Sequence, residues 1–300
     1  MIIFCRNTAA TIERAIQSVV SQWSPALELV VMDGGSTDGT LEILRRYERH
    51  IAVLRSAPDG GPTQAINEGV RRASGDVIAL LPGDDWLEPG ALSRVAEEFV
   101  ADPDLEVLSC GTRYVRIDEH GVERTLAQFT DAPTLAFDLP RVLRHPLTAG
   151  RFIRRRRYLE LGGHSTECVF GDYDFLVRLC LAKVKSKVRC ELTYTYRAHP
   201  QSTTFAGRPE TTMMMMSESM RLASRYLHSG AGQHSDRRAL RRLHAGSASR
   251  LAAMKLVRGE LAESMAALAD AFRTNTLWPL AALSWYCGSA TSKLLHSFAR

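Results

Sequence analysis

Between Met1 and Leu81, short apolar runs alternate with stretches whose apolar residues recur every three or four positions, and that alternation leaves few folds open. Met1 to Phe4, Leu27 to Met32, Ile51 to Leu54 and Val77 to Leu81 are apolar on both faces, as strands covered on both sides must be. Between them Ile12, Ala15, Ile16, Val19 and Val20 mark the stripe of an amphipathic helix. Thr40 to Tyr47 reads as a second helix and Ala65 to Ala73 as a third, with Pro62 near its first turn. Four strands separated by three helices predict an α/β domain with an open, mostly parallel sheet flanked by helices. Ligands of such sheets bind beyond the carboxyl ends of the strands, so the loops after Phe4, Met32, Leu54 and Leu81 are where a site is sought.

Past Asp85 the rhythm changes. Pro89 opens a helix through Phe99, and Val107 to Cys110 and Tyr114 to Ile117 read as strands with a turn at Glu119-His120-Gly121, which predicts a mixed extension of the sheet. From Met213 the strand signals stop and Ala, Leu, Met and Arg dominate, with breaks near Ser229 to Gly232 and around Thr274 to Pro279. A boundary near 210 therefore divides residues 1–210 from a helical C-terminal region, residues 211–300. From Met213 onward 12 Lys and Arg face 5 Asp and Glu, a net of +7, whereas the preceding residues net −2. That imbalance excludes a nucleic-acid binder throughout and predicts an anionic partner for the tail. With Leu277, Trp278, Leu280, Leu283, Trp285 and Tyr286 in one short amphipathic stretch, a membrane surface and packing on another protein face fit equally.

A hydrophobic fraction of 45% excludes a disordered chain, and six cysteines without CxxC spacing suggest reduced, buried thiols, not a zinc site or a disulfide framework. No basic region precedes the first apolar run, and no window reaches the eighteen or so apolar residues of a membrane span. These features predict a cytoplasmic chain, peripheral at most on the inner face of a membrane. Met1 falls inside the first strand, so either that strand is short or the start lies upstream. Arg154 to Arg157 reads as a solvated face, and Met213 to Met216 as packing between domains.

Two loops carry chemistry. Asp33-Gly34-Gly35-Ser36-Thr37-Asp38-Gly39-Thr40 follows the second strand with small residues, two carboxylates and hydroxyls, a composition that lets a nucleotide approach closely. Asp33 is assigned to the ligand there and Asp38 to a cap for the next helix. After the fourth strand Leu81-Pro82-Gly83-Asp84-Asp85-Trp86 places two adjacent carboxylates at the site edge, where a divalent cation and substrate phosphates suit them. A solvated loop ending in a cap for the Pro89 helix explains the same pair, and spacing does not separate the two.

DGGSTDGT, then SAPDGGPTQAINEGVRRASGDVIALLPGDD, then GDYDFLVRL, in that order over residues 1 to 205, resemble the family 2 glycosyltransferases with the A-type, nucleotide-sugar-binding, Rossmann-like fold. The resemblance implies inverting transfer from a nucleoside-diphosphate sugar, most often a UDP-sugar, to a glycan or lipid-linked acceptor. It implies a divalent cation, Mn²⁺ or Mg²⁺, held at Asp84 and Asp85, and an Asp base, which Asp172 matches. It further implies nucleotide-sugar contacts at Asp33, Gly34, Asn67, Asp84 and His199. Two positions depart from the pattern: Pro82 stands where relatives carry Asp or Asn, and Gln64 where they carry Asp. These keep a non-catalytic nucleotide-sugar-binding subunit open as an alternative. A nucleotidyltransferase is the other, although Arg6-Asn7-Thr8 lacks that class's glycine-rich loop.

The chemistry of Asp172 also has a reading without the family. An acceptor hydroxyl attacking an anomeric carbon must lose its proton as the bond forms, and a carboxylate within hydrogen-bond reach takes it. Gly171-Asp172-Tyr173-Asp174 precedes the apolar stripe Phe175, Leu176, Leu179 and Cys180, so both acids sit at a helix start, where capping explains them as well. A spacing of two sends them to different faces, and only one can be the base.

Overall fold

The structure is a computed structural model that describes residues 1–200, 202, 209–275 and 279. It divides into two compact units. The first comprises Met1–Phe137, Leu147–Glu167 and Lys183–Ala198, and the second Asp138–Pro146, Cys168–Ala182 and His199–Arg300.

The first unit is built on a sheet that starts as the alternation predicts: β1 (Ile2–Cys5), α1 (Ile12–Val20), β2 (Val30–Asp33), α2 (Thr40–Arg46), β3 (Val53–Ser56), α3 (Pro62–Arg72) and β4 (Val77–Pro82). The four strands lie in the order β3-β2-β1-β4, all parallel. Helix α1 forms because its stripe finds a core: Ile12, Ala15, Ile16 and Val19 are buried against Ile3, Val31 and Leu81. Each fully buried Ile or Val stabilises by roughly 1.5–3 kcal/mol.

Beyond β4 the chain adds β5 (Trp86–Leu87), α4 (Ala91–Ala101), β6 (Val107–Ile117), β7 (Glu123–Phe129), α5 (Ala132–Leu135), then, after a segment of the second unit, β8 (Arg151–Arg154), α7 (Arg155–Glu160) and β9 (Ser186–Arg197). The full order is β3-β2-β1-β4-β8-β6-β9-β5, with β7 on β6. The sheet is mixed: β8 runs antiparallel to β4 and β6, β5 to β9 and β7 to β6, while β6 and β9 are parallel.

Two sequence readings change here. Residues 107–117 form one strand instead of two, because Gly111 lets β9 approach where its register shifts: a Cβ there would lie 2.6 Å from Glu191 O. The basic run is not a solvated face. Arg154 donates to the carbonyls of Phe99, Pro103 and Leu105, Arg155 to those of Val70 and Arg71, and Arg157 binds Glu106. Of the four, Arg156 alone is left to a 3.8 Å surface pair with Glu160.

The second unit is helical: α6 (Leu139–Arg144), α8 (Gly171–Leu181), α9 (Pro209–His228), α10 (His234–Val257) and α11 (Leu261–Thr274). The break between α9 and α10 falls at Gly230 and Gly232, with φ of 69° and 82°. Met213, Met216 and Met220 pack on Leu251, Ala252 and Ala267 within this unit's own core, which corrects the reading of an inter-domain packing patch. The apolar stretch Leu277 to Tyr286 lies outside the described residues. Among the described residues no helix is long and apolar enough to cross a membrane. Cys5, Cys110 and Cys180 are buried free thiols, Cys168 is half-buried and Cys190 exposed.

His244 of α10 is fully buried with its Nε2 3.0 Å from Asp270 Oδ2 of α11. Burial holds its pKa below the ordinary 6.5, against the pull of Asp270. The unfolded chain therefore takes up this proton at a higher pH than the folded one, so the group favours folding above about pH 6.5 and opposes it as pH falls. The melting temperature should drop between pH 7 and 5.5, more steeply in the wild type than in His244→Gln. Equal slopes would refute the assignment.

Candidate functional site

The carboxyl ends of β1 to β4 are tied into one edge by backbone and side-chain bonds. Gly34 N–H donates to Cys5 O, Ala57 N–H to Asp33 O and Gly83 N–H to Phe4 O, each extending a strand pairing by one step. Asn7, in the left-handed region at φ 53°, accepts from Thr37 N–H at 2.9 Å, and its own N–H donates to Ser36 Oγ at 2.8 Å. Thr11 Oγ1 closes the ring of loops on Gly83 O at 2.8 Å.

Asp33 is buried, and its carboxylate is occupied by the chain itself. Oδ2 accepts from Ser56 Oγ at 2.6 Å and Ser36 N–H at 3.1 Å; Oδ1 accepts from the Ser36 hydroxyl and, at 3.8 Å, from Cys5 Sγ. Where sequence reasoning gave this acid to the ligand, the structure shows it fixing the loop. Asp38 accepts from Thr40 N–H and Oγ1 at the start of α2 and from Ala9 N–H, and these bonds hold its pKa below the usual carboxylate value.

The two glycines that follow Asp33 are explained by the next loop. A Cβ on Gly34 would stand 3.1 Å from Asp59 Oδ2 and 3.4 Å from Arg6 Cβ; one on Gly35, whose φ is 77°, would meet Pro58 N at 2.9 Å. DGG and APDG are thus two halves of one packed element, and Asp59 lies beside the glycine backbone. Its Oδ1 accepts from Gly61 N–H at 2.9 Å. It also lines a cavity of about 840 Å³ with Arg55, Gly60, Gln64, Asn67 and His164. Sequence reasoning missed Asp59. The available signal was a second Asp-Gly-Gly at the end of the third strand.

Asn67 lines the same cavity, yet its amide is engaged within the unit. Nδ2 donates to His164 O at 2.8 Å, and Oδ1 accepts from Tyr158 Oη at 2.6 Å and His164 N–H at 2.9 Å. It holds the Gly162–His164 turn that walls the cavity. Gln64, in the departing position, turns back to accept from Gly60 N–H at 3.1 Å.

The adjacent acids after β4 differ from one another. Asp85 is buried, accepting from Tyr194 Oη at 2.5 Å and from Arg197 N–H at 2.8 Å, and burial reinforced by the Asp84 charge raises its pKa well above the usual value. Asp84 is half-buried. Among the described residues no cluster of three or more His, Cys, Asp or Glu forms a ready cage for a metal. A single half-buried carboxylate fits a Mg²⁺ or Mn²⁺ ion that takes its other ligands from substrate phosphates and water. Asp85, with both oxygens already accepting, fits the role of fixing the loop that carries Asp84.

Asp172 and His199 belong to the second unit. Asp172 is half-buried in the first turn of α8, where its Oδ1 accepts from Tyr173 N–H at 2.8 Å; burial raises its pKa. The N-cap position is Phe170, not Asp172. Asp174 is buried and saturated: it accepts from Arg178 Nε at 2.9 Å, Tyr226 Oη at 2.8 Å and Arg225 Nη1 at 3.5 Å, tying α8 to α9. His199 N–H donates to Ser202 Oγ at 3.0 Å.

Comparison with known proteins agrees with this architecture. S. aureus TarS, in a structure with UDP-GlcNAc, is 17% identical and superposes with a TM-score of 0.58 over 96% of this chain and 92% of its own. The mannosyltransferase PcManGT from Pyrobaculum calidifontis, in complex with GDP-Man and Mn²⁺, is 18% identical with a TM-score of 0.58 over 99% and 85%. Both likenesses show the fold. The succinoglycan biosynthesis protein ExoO of Rhizobium meliloti is 27% identical over 94% of this chain and 84% of its own length. Three other curated relatives, among them the chondroitin and hyaluronan synthases of Pasteurella multocida, match at 31–36% identity, and the chain spans only 12% to 44% of their length. Residues 1–166 match the family described as Glycosyl transferase family 2, and the chain belongs to it.

Proposed function

We propose that this protein transfers a sugar, with inversion, from a nucleoside-diphosphate sugar to a glycan or glycolipid acceptor, within residues 1–210, with residues 211–300 as a helical accessory. The observation that carries the reading is the clamped edge, where Gly34 lets a carboxylate, Asp59, stand close to bare backbone in the lining of a large polar cavity. The glycosyltransferase neighbours bound to UDP-GlcNAc and GDP-Man support a nucleotide-sugar donor, and ExoO supports an acceptor in polysaccharide assembly. UDP is the nucleotide we assign.

In this reading the base lies against Gly34 with Asp59 as its polar partner, since an ionised carboxylate accepts well from an N–H of the base. Asp33, Ser36 and Ser56 keep that backbone in place. Asp84 holds the divalent cation, which when bound neutralises charge on the leaving diphosphate. Asp85, anchored by Tyr194 and Arg197, stops the Asp84 loop from drifting. Asp172 takes the acceptor proton. Its environment suits the task, because a carboxylate whose pKa is raised by burial is a stronger base than one in water. His199 is assigned to the diphosphate end.

The test is titration with UDP and UDP-sugars, with Mn²⁺ and with EDTA. Affinity should fall tenfold or more in EDTA, and Asp84→Ala should reproduce that loss in the presence of Mn²⁺. Equal affinity with and without the cation would remove the metal from the scheme. Absence of binding to any nucleotide sugar would remove the donor.

A further inference from the structure

Helices α6 and α10 of the second unit enclose a cavity of about 300 Å³ lined by Pro140, Leu143, Arg144, His234, Ser235, Arg238, Ala239 and Arg242. Its charge is of one sign. His234, Arg238 and Arg242 recur every four residues along α10 and so project from one face, and Arg144 comes from the end of α6. Arg144, Arg238 and Arg242 make no hydrogen bond or ion pair among the described residues. The arginines of the first unit's basic run, by contrast, are held by carbonyls and Glu106. The acids nearest in sequence are already occupied: Asp138 pairs with Arg141, and Asp236 accepts from Gln233 N–H in the capping box of α10. Like charges four apart on a helix repel. Arg238 and Arg242 therefore form a surface that a counter-anion would relieve.

We propose that this cavity is a binding site for the phosphate of an anionic membrane lipid. Guanidinium groups match phosphate oxygens in planar, bidentate geometry. Pro140, Leu143 and Ala239 in the lining give the methylenes next to a lipid phosphate an apolar contact that inorganic phosphate would not use. The net +7 from Met213 onward adds attraction to an acidic surface at longer range. The site lies within one unit and does not depend on the transfer reaction.

Flotation of the full chain with vesicles tests it. The protein should float with vesicles containing phosphatidylglycerol and stay behind with pure phosphatidylcholine. Arg238→Gln with Arg242→Gln should weaken flotation by roughly thirtyfold, from the contribution of two arginines near an anionic surface. Arg45→Gln with Arg250→Gln removes the same charge elsewhere and should weaken flotation far less. Circular dichroism and melting curves establish that both double variants are folded, and Arg144→Gln alone should show a smaller loss of the same kind. Equal weakening of the two double variants would mean charge without a site, and unchanged flotation of Arg238→Gln with Arg242→Gln would mean no site; either overturns the proposal. Inorganic phosphate supplies the second arm. If it raises the melting temperature through Arg238 and Arg242 while vesicles go unbound, the anion is a soluble one and the lipid assignment fails.

Discussion

Asp172→Asn should fold, bind donor and fail to transfer. Asparagine keeps the shape of the side chain and can still accept from Tyr173 N–H, as the carboxylate does. It cannot take up a proton. The loss should be on the order of a hundred- to ten-thousandfold in turnover, the span that general-base catalysis contributes. In the wild type the acid limb of the pH profile should lie above the ordinary Asp value, because burial raises the pKa of Asp172. Asp174→Asn is the control, and its effect should be of another kind. Weakening its contacts with Arg178, Tyr226 and Arg225 loosens α8 from α9 and costs about 1–3 kcal/mol of stability, with turnover per folded molecule kept. Near-normal transfer by Asp172→Asn, measured with saturating donor, would reverse the assignment.

The second large effect separates Asp33 from Asp59. Asp33→Ala strips the acceptor from two serine hydroxyls, a backbone N–H and a thiol around a buried position. With unsatisfied buried donors costing about 1–3 kcal/mol each, the variant should lose several kcal/mol and melt far below the wild type. Asp59→Ala removes a half-buried carboxylate with one local acceptor role, at Gly61 N–H, so its melting point should hardly move. Its affinity for a uridine nucleotide should instead fall roughly ten- to a hundredfold, as loss of a charge-assisted hydrogen bond implies. Calorimetry on the folded variants reads both. If Asp33→Ala stays stable and loses nucleotide while Asp59→Ala binds normally, the two roles are the other way round.

The surroundings of Asp33 and Asp59 show where sequence reading reaches its limit. Helix α1 was legible because four of the five side chains that mark its stripe, Ile12, Ala15, Ile16 and Val19, become buried. Strands β1, β2 and β4 were legible for the same reason, whereas β3, expected at Ile51 to Leu54, lies at Val53–Ser56 with half-buried or exposed side chains. Strand β7 was not: Glu123–Phe129 has mostly exposed or half-buried side chains, so neither alternation nor an apolar run announces it. The position of the site was visible as the ends of the parallel strands, and the DGG motif was visible as a close-approach loop. What made Gly34 necessary was not. Its neighbour Asp59 lies 25 residues away on the next loop, and only the fold brings the two together. The same holds for Asn67, whose amide is claimed by a turn almost a hundred residues later.

The anchoring of Asp85 has a consequence in time. Its two donors, Tyr194 and Arg197, lie 109 and 112 residues downstream, past the end of the family match at residue 166. The parallel strands β1 to β4 can pair as soon as the first eighty or so residues have left the ribosome, but the loop after β4 then holds a carboxylate whose partners have not been synthesised. Such long-range closures are slow to form. The nascent chain therefore carries a strand edge whose Asp84–Asp85 loop gains these two bonds only when β9 is laid against β6. A chain truncated before Tyr194 would keep every residue of the DGGSTDGT and PGDD motifs and still lack the clamp that holds them in register.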